Sequence, residues 1–269
     1  MNKKIVSFCA ALLCLSAGPL RAANSLHSII SGEQRSAENQ ARDRYRHPEE
    51  TLAFFDVQED MTVVEIWPGA GWYTEILAPY LRDKGLLYAA HFSPASTVPY
   101  FQKSVKAFKG KIAADPDAYG KLRLTVLQPP KQVEIAPAGS ADRVLTFRNV
   151  HNWMRTGQAE TVFKAMFKAL KPGGILGVVE HRNPTYIKQD PQAQSGYVRE
   201  DYVIGLAEKA GFKLLDKSEI NANPKDTGKH PKGVWSLPPS LREGKNNRDE
   251  YLAIGESDRM TLKFGKPEE

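Results

Sequence analysis

Residues 63–74 constrain the fold more than any other part of the chain. Val63, Val64 and Ile66 make a short apolar run broken only by Glu65. The turn Trp67-Pro68-Gly69-Ala70-Gly71 follows, and then helix-compatible residues 74–81. A strand buried on both faces of a parallel sheet reads as such a run, and glycines after it let main chain approach a ligand closely. Ligands of open α/β sheets bind beyond the carboxyl ends of the strands. The binding site is therefore expected at this turn.

Alternation continues downstream, as a parallel sheet with helices on its faces requires. Strands are expected at 62–66, 86–90, 122–127, 143–147 and 175–179, with two more at 212–215 and 260–264. The clearest helix precedes the fifth strand. Ala159, Val162, Phe163, Met166, Phe167 and Leu170 fall on one helical face, and Lys171-Pro172-Gly173-Gly174 stops it. A second stripe comprises Val198, Tyr202, Val203, Leu206 and Ala210. Ahead of the sheet, residues 24–46 read as a leader helix, with a Ser31/Gln34 capping box and a Glu38–Arg42 pair. His47-Pro48 ends it and Pro48 opens another.

The first residues read as a signal peptide: Lys3 and Lys4, an apolar run 5–17 too short for a membrane span, then small residues with cleavage after Ala22. The expected organisation is signal peptide 1–22, helical leader 23–50 and one α/β domain 51–269, periplasmic or secreted. Cys9 and Cys14 both fall in the removed piece, which excludes disulfides, zinc thiolates and a thiol nucleophile from the rest. Lys3, Lys4 and Arg21 leave with it, so the formal charge of +6 falls by three. That excess is too small to point to nucleic acid. No later run is apolar enough for membrane insertion, and the oligomeric state is left open.

The glycine turn does not fit a dinucleotide fingerprint. Thr74 stands where the third glycine belongs, and His91 ends the second strand where an acid belongs. Taken in order, Glu65-Ile66-Trp67-Pro68-Gly69-Ala70-Gly71, Asp142-Arg143-Val144-Leu145 and Leu170-Lys171-Pro172-Gly173-Gly174-Ile175-Leu176 resemble class I S-adenosylmethionine-dependent methyltransferases over residues 52–264. More narrowly, Arg44-Tyr45-Arg46-His47-Pro48, residues 67–74, Arg148-Asn149-Val150-His151-Asn152-Trp153 and residues 255–261 are similar to an exported bacterial branch of predicted methyltransferases. The resemblance implies a Rossmann-like methyltransferase fold: a seven-stranded, mostly parallel sheet of order 3-2-1-4-5-7-6 with helices on both faces. It implies S-adenosyl-L-methionine as cofactor, held by Glu65, Pro68, Gly69, Ala70, Gly71 and His91. The turn would wrap the methionine and ribose. Two positions depart from the pattern: Trp67 replaces the first glycine, and His91 replaces the acid that holds the ribose hydroxyls.

Residues 148–153 follow the fourth strand, where the superfamily places groups facing the substrate. His151 offers a base near neutral pH and Asn149 an amide, and these are the expected catalytic pair. Arg148 would contact an anion, Asn152 and His181 would bind substrate, and Trp153 would wall it. His91, His151 and His181 all end strands on one edge. Strands lie about 4.8 Å apart, so His91 is too far from the others to share an ion. His151 and His181 could share one with Glu180, yet contacts to a small-molecule substrate are the preferred reading and no metal is expected. Residues 221–248 read as a cover over the site or a surface excursion, and Asp258-Arg259 as a structural ion pair. Methyl transfer to a small or medium substrate is the leading reading. The alternatives are a non-catalytic exported binding protein for another adenosine-like or metabolite ligand, and a hydrolase or isomerase using His151 with Glu180.

Overall fold

The computed structural model describes residues 25–268, so the signal-peptide reading lies outside the described residues. The described residues begin with three short helices: α1 (Leu26–Ile30), α2 (Ala37–Gln40) and α3 (Asp43–Arg46). The single leader helix expected over 24–46 is therefore corrected. Ser31 ends α1 instead of capping a helix, while Ser25 and Ser36 cap α1 and α2 by accepting from Ser28 N and Asn39 N. Arg42 does not meet Glu38; its Nε donates to Glu256 at 2.6 Å. His47 takes a left-handed conformation, and Pro48 opens α4 (Pro48–Phe54) as the sequence implies.

The remaining order is β1 (Thr62–Ile66), α5 (Thr74–Leu81), β2 (Leu86–His91), α6 (Pro99–Ala114), α7 (Pro116–Tyr119), β3 (Arg123–Val126), β4 (Ala141–Phe147), α8 (Val150–Arg155), α9 (Ala159–Ala169), β5 (Leu170–His181), α10 (Glu200–Lys209), β6 (Lys213–Ser218), a 3-10 turn (Gly233–Ser236), α11 (Arg248–Ile254) and β7 (Arg259–Gly265). Seven strands form one sheet in the order β3-β2-β1-β4-β5-β7-β6, with β7 antiparallel to both neighbours and the other pairings parallel. Each expected strand is present. The fifth starts earlier than read, because Leu170 pairs with Ala141 before the Lys171–Gly174 excursion.

Strand side chains alternate between faces. Val64, Val144 and Val178 therefore pack one core with Val162, Phe163 and Met166 of α9 and Val203 and Leu206 of α10. Val63, Leu145 and Val179 pack the other with Ile76, Leu77 and Leu81 of α5. The leader joins this second core through Ile29. Each such side chain, fully buried, contributes about 1.5–3 kcal/mol, which makes the two-layered sheet a rigid platform. Its carboxyl-terminal edge carries Trp67, His91, Arg148 and Glu180. Among the described residues no helix is long and apolar enough to cross a membrane.

Candidate functional site

The turn after β1 is built on three positive φ angles in five residues: Trp67 (46°), Gly69 (61°) and Gly71 (82°). Glycine tolerates that region; a tryptophan there is strained by about 1–2 kcal/mol. Packing holds it. The Trp67 indole lies against Phe92, Phe101 and Trp153, with ring centroids 4.6, 5.8 and 5.7 Å away, and its Nε1 donates to Leu127 O at 2.9 Å just beyond β3. Gly69 is open, since a Cβ built there meets nothing within 4 Å. A Cβ on Gly71 would stand 3.1 Å from the Phe108 ring.

Glu65 is buried at the end of β1 and accepts from Thr74 Oγ1 at 2.6 Å. Burial pushes its carboxyl up to about 7, against the opposing Thr74 bond and the Lys111 and Arg148 charges. His91 is fully buried. Its Nδ1 accepts from Phe92 N at 2.7 Å, so Nε2 carries the proton and donates to Gly69 O at 3.1 Å. Burial lowers its pKa, opposed by that carbonyl. The imidazole therefore latches the glycine turn to β2, and its one donor is already engaged.

A second group gathers at β4 and β5. Arg148 leaves β4 with a φ of 62° and donates its N–H to Val179 O at 2.7 Å. Asn149 precedes α8, and its Nδ2 reaches back to Ile66 O at 2.9 Å, tying the β4 end to the β1 turn. His151, on the first turn of α8, donates from Nδ1 to Glu180 Oε1 at 3.0 Å. The Glu180 carboxylate, fully buried, also accepts from His181 N at 2.8 Å and His151 N at 3.3 Å. These three contacts fix the carboxylate and orient the imidazole, with His151 Nδ1 turned to Glu180 and Nε2 left as the acceptor. This is the arrangement of a general base with its positioning carboxylate.

His181 bonds Ser257 Oγ at 2.5 Å. Burial first, then His151, Arg259, Arg148 and Arg46, push its pKa well below the ordinary value, so it stays neutral. His151, Glu180 and His181 offer donor atoms within 4.8 Å of one another, so they can share a site while His91 stands apart. The same arginines that depress His181 oppose a divalent cation there.

Two expected roles are corrected. Trp153 does not wall the site: it is fully buried against Trp67 and Phe163, because Val150, Trp153 and Met154 form the inward stripe of α8. Asp258 and Arg259 do not pair with each other. Asp258 binds Arg182 at 2.8 Å, whereas Arg259 binds Glu256. Asn152 is half-buried beside His151.

Residues 221–248 pack over the β5 end. Trp235 stands 5.9 Å from His151, gripped by Arg155 and Arg242 at 5.1 and 4.9 Å. Asp226 anchors the segment by accepting from Tyr197 Oη, His230 Nε2, Gly228 N and Asp258 N. Reading the sequence alone missed Asp226, Arg46, Arg259 and Glu256, although the last three lie in segments that carried the resemblance.

No protein-family profile matches the chain, and no curated protein does. Solved structures do. A SAM-dependent methyltransferase from Aquifex aeolicus superposes with a TM-score of 0.55 at 17% identity, over 84% of this chain and 93% of that one. The chain has the class I methyltransferase fold. Haemonchus contortus phosphoethanolamine N-methyltransferase 2, solved with S-adenosyl-L-methionine, gives 0.55 at 15% identity over 92% of this chain and 58% of that one. The cyclase SpnF gives 0.58 at 15% identity, over 88% and 84%. A methyltransferase fold at such identities fixes architecture, and chemistry has to be argued from the site.

Proposed function

We propose that this chain is an S-adenosylmethionine-dependent methyltransferase acting on a small or medium-sized substrate outside the cytoplasm. The observation that carries the proposal is the His151–Glu180 pair, placed by α8 and β5 beside the glycine turn of a methyltransferase-type sheet. The cofactor, when bound, supplies an activated methyl group. The methionine half of the cofactor fits: Gly69 is open and Asn149 braces the turn. At the β2 and β3 ends the adenosine half would be held beside His91 and the Trp67 indole, which is hydrogen-bonded to Leu127 O.

The chain's own residues then have plain tasks. Arg148 and Asn152 border the acceptor, and the buried base at His151 Nε2 receives the proton that an O–H or N–H acceptor releases on methylation. Trp235 shields that base from water.

The second reading is a binding protein that keeps the fold for another ligand. It is favoured by the Trp67–Leu127 and His91–Gly69 hydrogen bonds, which occupy the two altered cofactor positions. Calorimetry on the chain from Ala23 separates the two readings. Micromolar binding of S-adenosylmethionine and S-adenosylhomocysteine supports the transferase; absence of both leaves the binding protein. Export is tested by amino-terminal sequencing of protein from the periplasmic fraction, which should begin at Ala23.

A further inference from the structure

Four guanidinium groups converge beside the His151–Glu180 pair. Arg42 and Arg46 come from α3 and the residue before it, Arg148 from behind β4, and Arg259 from the start of β7. One carboxylate faces them. Glu256, buried, accepts from Arg42 Nε at 2.6 Å, from Arg46 Nε at 3.1 Å and from Arg259 Nη2. The other nearby acid, Glu180, is committed to His151 and to two backbone donors.

The donors outnumber what Glu256 accepts. Arg46 is 3% exposed, its guanidinium stacks 4.7 Å over Trp72, and its Nη1 is buried with no partner among the described residues. Arg259 is 2% exposed; its Nη1 donates to Tyr45 O at 2.9 Å, and its Nε is likewise buried and unpartnered. Among the described residues Arg148 makes no ion pair with Glu256, and it is half-buried. Burial and the Arg259 charge push its pKa down to about 10, against Glu256. Buried guanidinium charges and donors without counterparts are costly. Here the imbalance lies at the strand ends where the fold binds ligands.

We propose that Arg46, Arg148 and Arg259 form a binding site for an oxyanion, the carboxylate, phosphate or sulfate group of the acceptor molecule. Planar guanidinium forks suit such groups, which take two hydrogen bonds from one side chain. Glu256 holds the forks in register, and the neutral His181 adds no competing acid. The anionic end of the acceptor would anchor here with its reacting atom turned to His151. The naming of an acceptor rests on the transferase reading; the oxyanion site itself does not.

Inorganic phosphate is the probe, titrated calorimetrically into the chain from Ala23 at constant ionic strength, with chloride as the control. Phosphate should bind where chloride does not, and should raise the melting temperature by mass action. Arg148→Gln should weaken phosphate at least tenfold while melting, without phosphate, at or above the unmodified protein, because it removes a repelled charge. Arg46→Met serves as a second variant with the same expected loss. Equal heats for phosphate and chloride, or unchanged affinity in both variants, would overturn the site. A further titration adds S-adenosylhomocysteine. Simultaneous binding of the two supports an acceptor anion. Competitive displacement overturns that assignment, since the arginines would then hold the cofactor's own carboxylate. Phosphate binding with no S-adenosylhomocysteine binding keeps the oxyanion site and removes the transferase reading alone.

Discussion

Glu65 carries its charge in a place that resists it. Its carboxyl is raised from 4.5 to about 7 in the folded protein, so between those values the folded chain holds a proton that the unfolded chain has released. Stability therefore falls as pH rises through that window. Glu65→Gln should be more stable than the parent by roughly 2–3 kcal/mol at pH 8, with the gain vanishing below about pH 5. Urea unfolding at both pH values checks this, and a pH-independent difference would contradict it. Residue-level reading put His151 and Glu180 close enough to share a site, and the two side chains do meet, with His151 on the first turn of α8 and Glu180 near the end of β5. It failed for Asp258 and Arg259. Consecutive residues entering a strand point to opposite faces, so these two take different partners.

At the scale of elements, the β1–α5 turn is held open in backbone and filled in side chain. Trp67→Gly would relieve the strained φ of 46°, worth about 1–2 kcal/mol. It would also remove an indole packed among Phe92, Phe101 and Trp153, a loss of about 3–5 kcal/mol. The variant should be less stable by roughly 2–4 kcal/mol yet bind S-adenosylhomocysteine at least tenfold more tightly, as calorimetry would register. Weaker binding would make the indole a wall of the site instead of its occupant. Gly69→Val, by contrast, adds a Cβ that meets no atom within 4 Å; it places a β-branched residue at φ 61° and should abolish ligand binding while the domain still folds. The sheet was legible because apolar runs and glycine stops repeat with the right periods. The leader was not, because its pattern of Ser31, Gln34, Glu38 and Arg42 satisfied a helix locally while the tertiary partner of Arg42 lay 214 residues away. Trp153 was misassigned for want of one check: with Val150 and Met154 it completes an inward stripe.

For the molecule as a whole, Glu256 is the carboxylate on which the leader, β4 and β7 agree. Against its burial, Arg259, Arg46, Arg42 and Arg148 hold its pKa well below the usual carboxylate range. Glu256→Gln would leave buried arginines uncompensated, a loss of about 3–5 kcal/mol and a melting temperature lower by about 10 °C or more. Phosphate should restore more of that loss in the variant than it adds to the parent. A thermal melt with and without phosphate reads both effects, and a variant as stable as the parent would show that the arginines are balanced elsewhere.

That carboxylate also ties residues early in the chain to residues near its close. Arg42 and Arg46 emerge long before Glu256 and Arg259. A polypeptide cut short ahead of residue 256 could assemble most of its sheet but would leave the basic cluster splayed and unneutralised. Partial products of this gene would thus be unable to hold a working pocket, and competence would arrive only with the last strand.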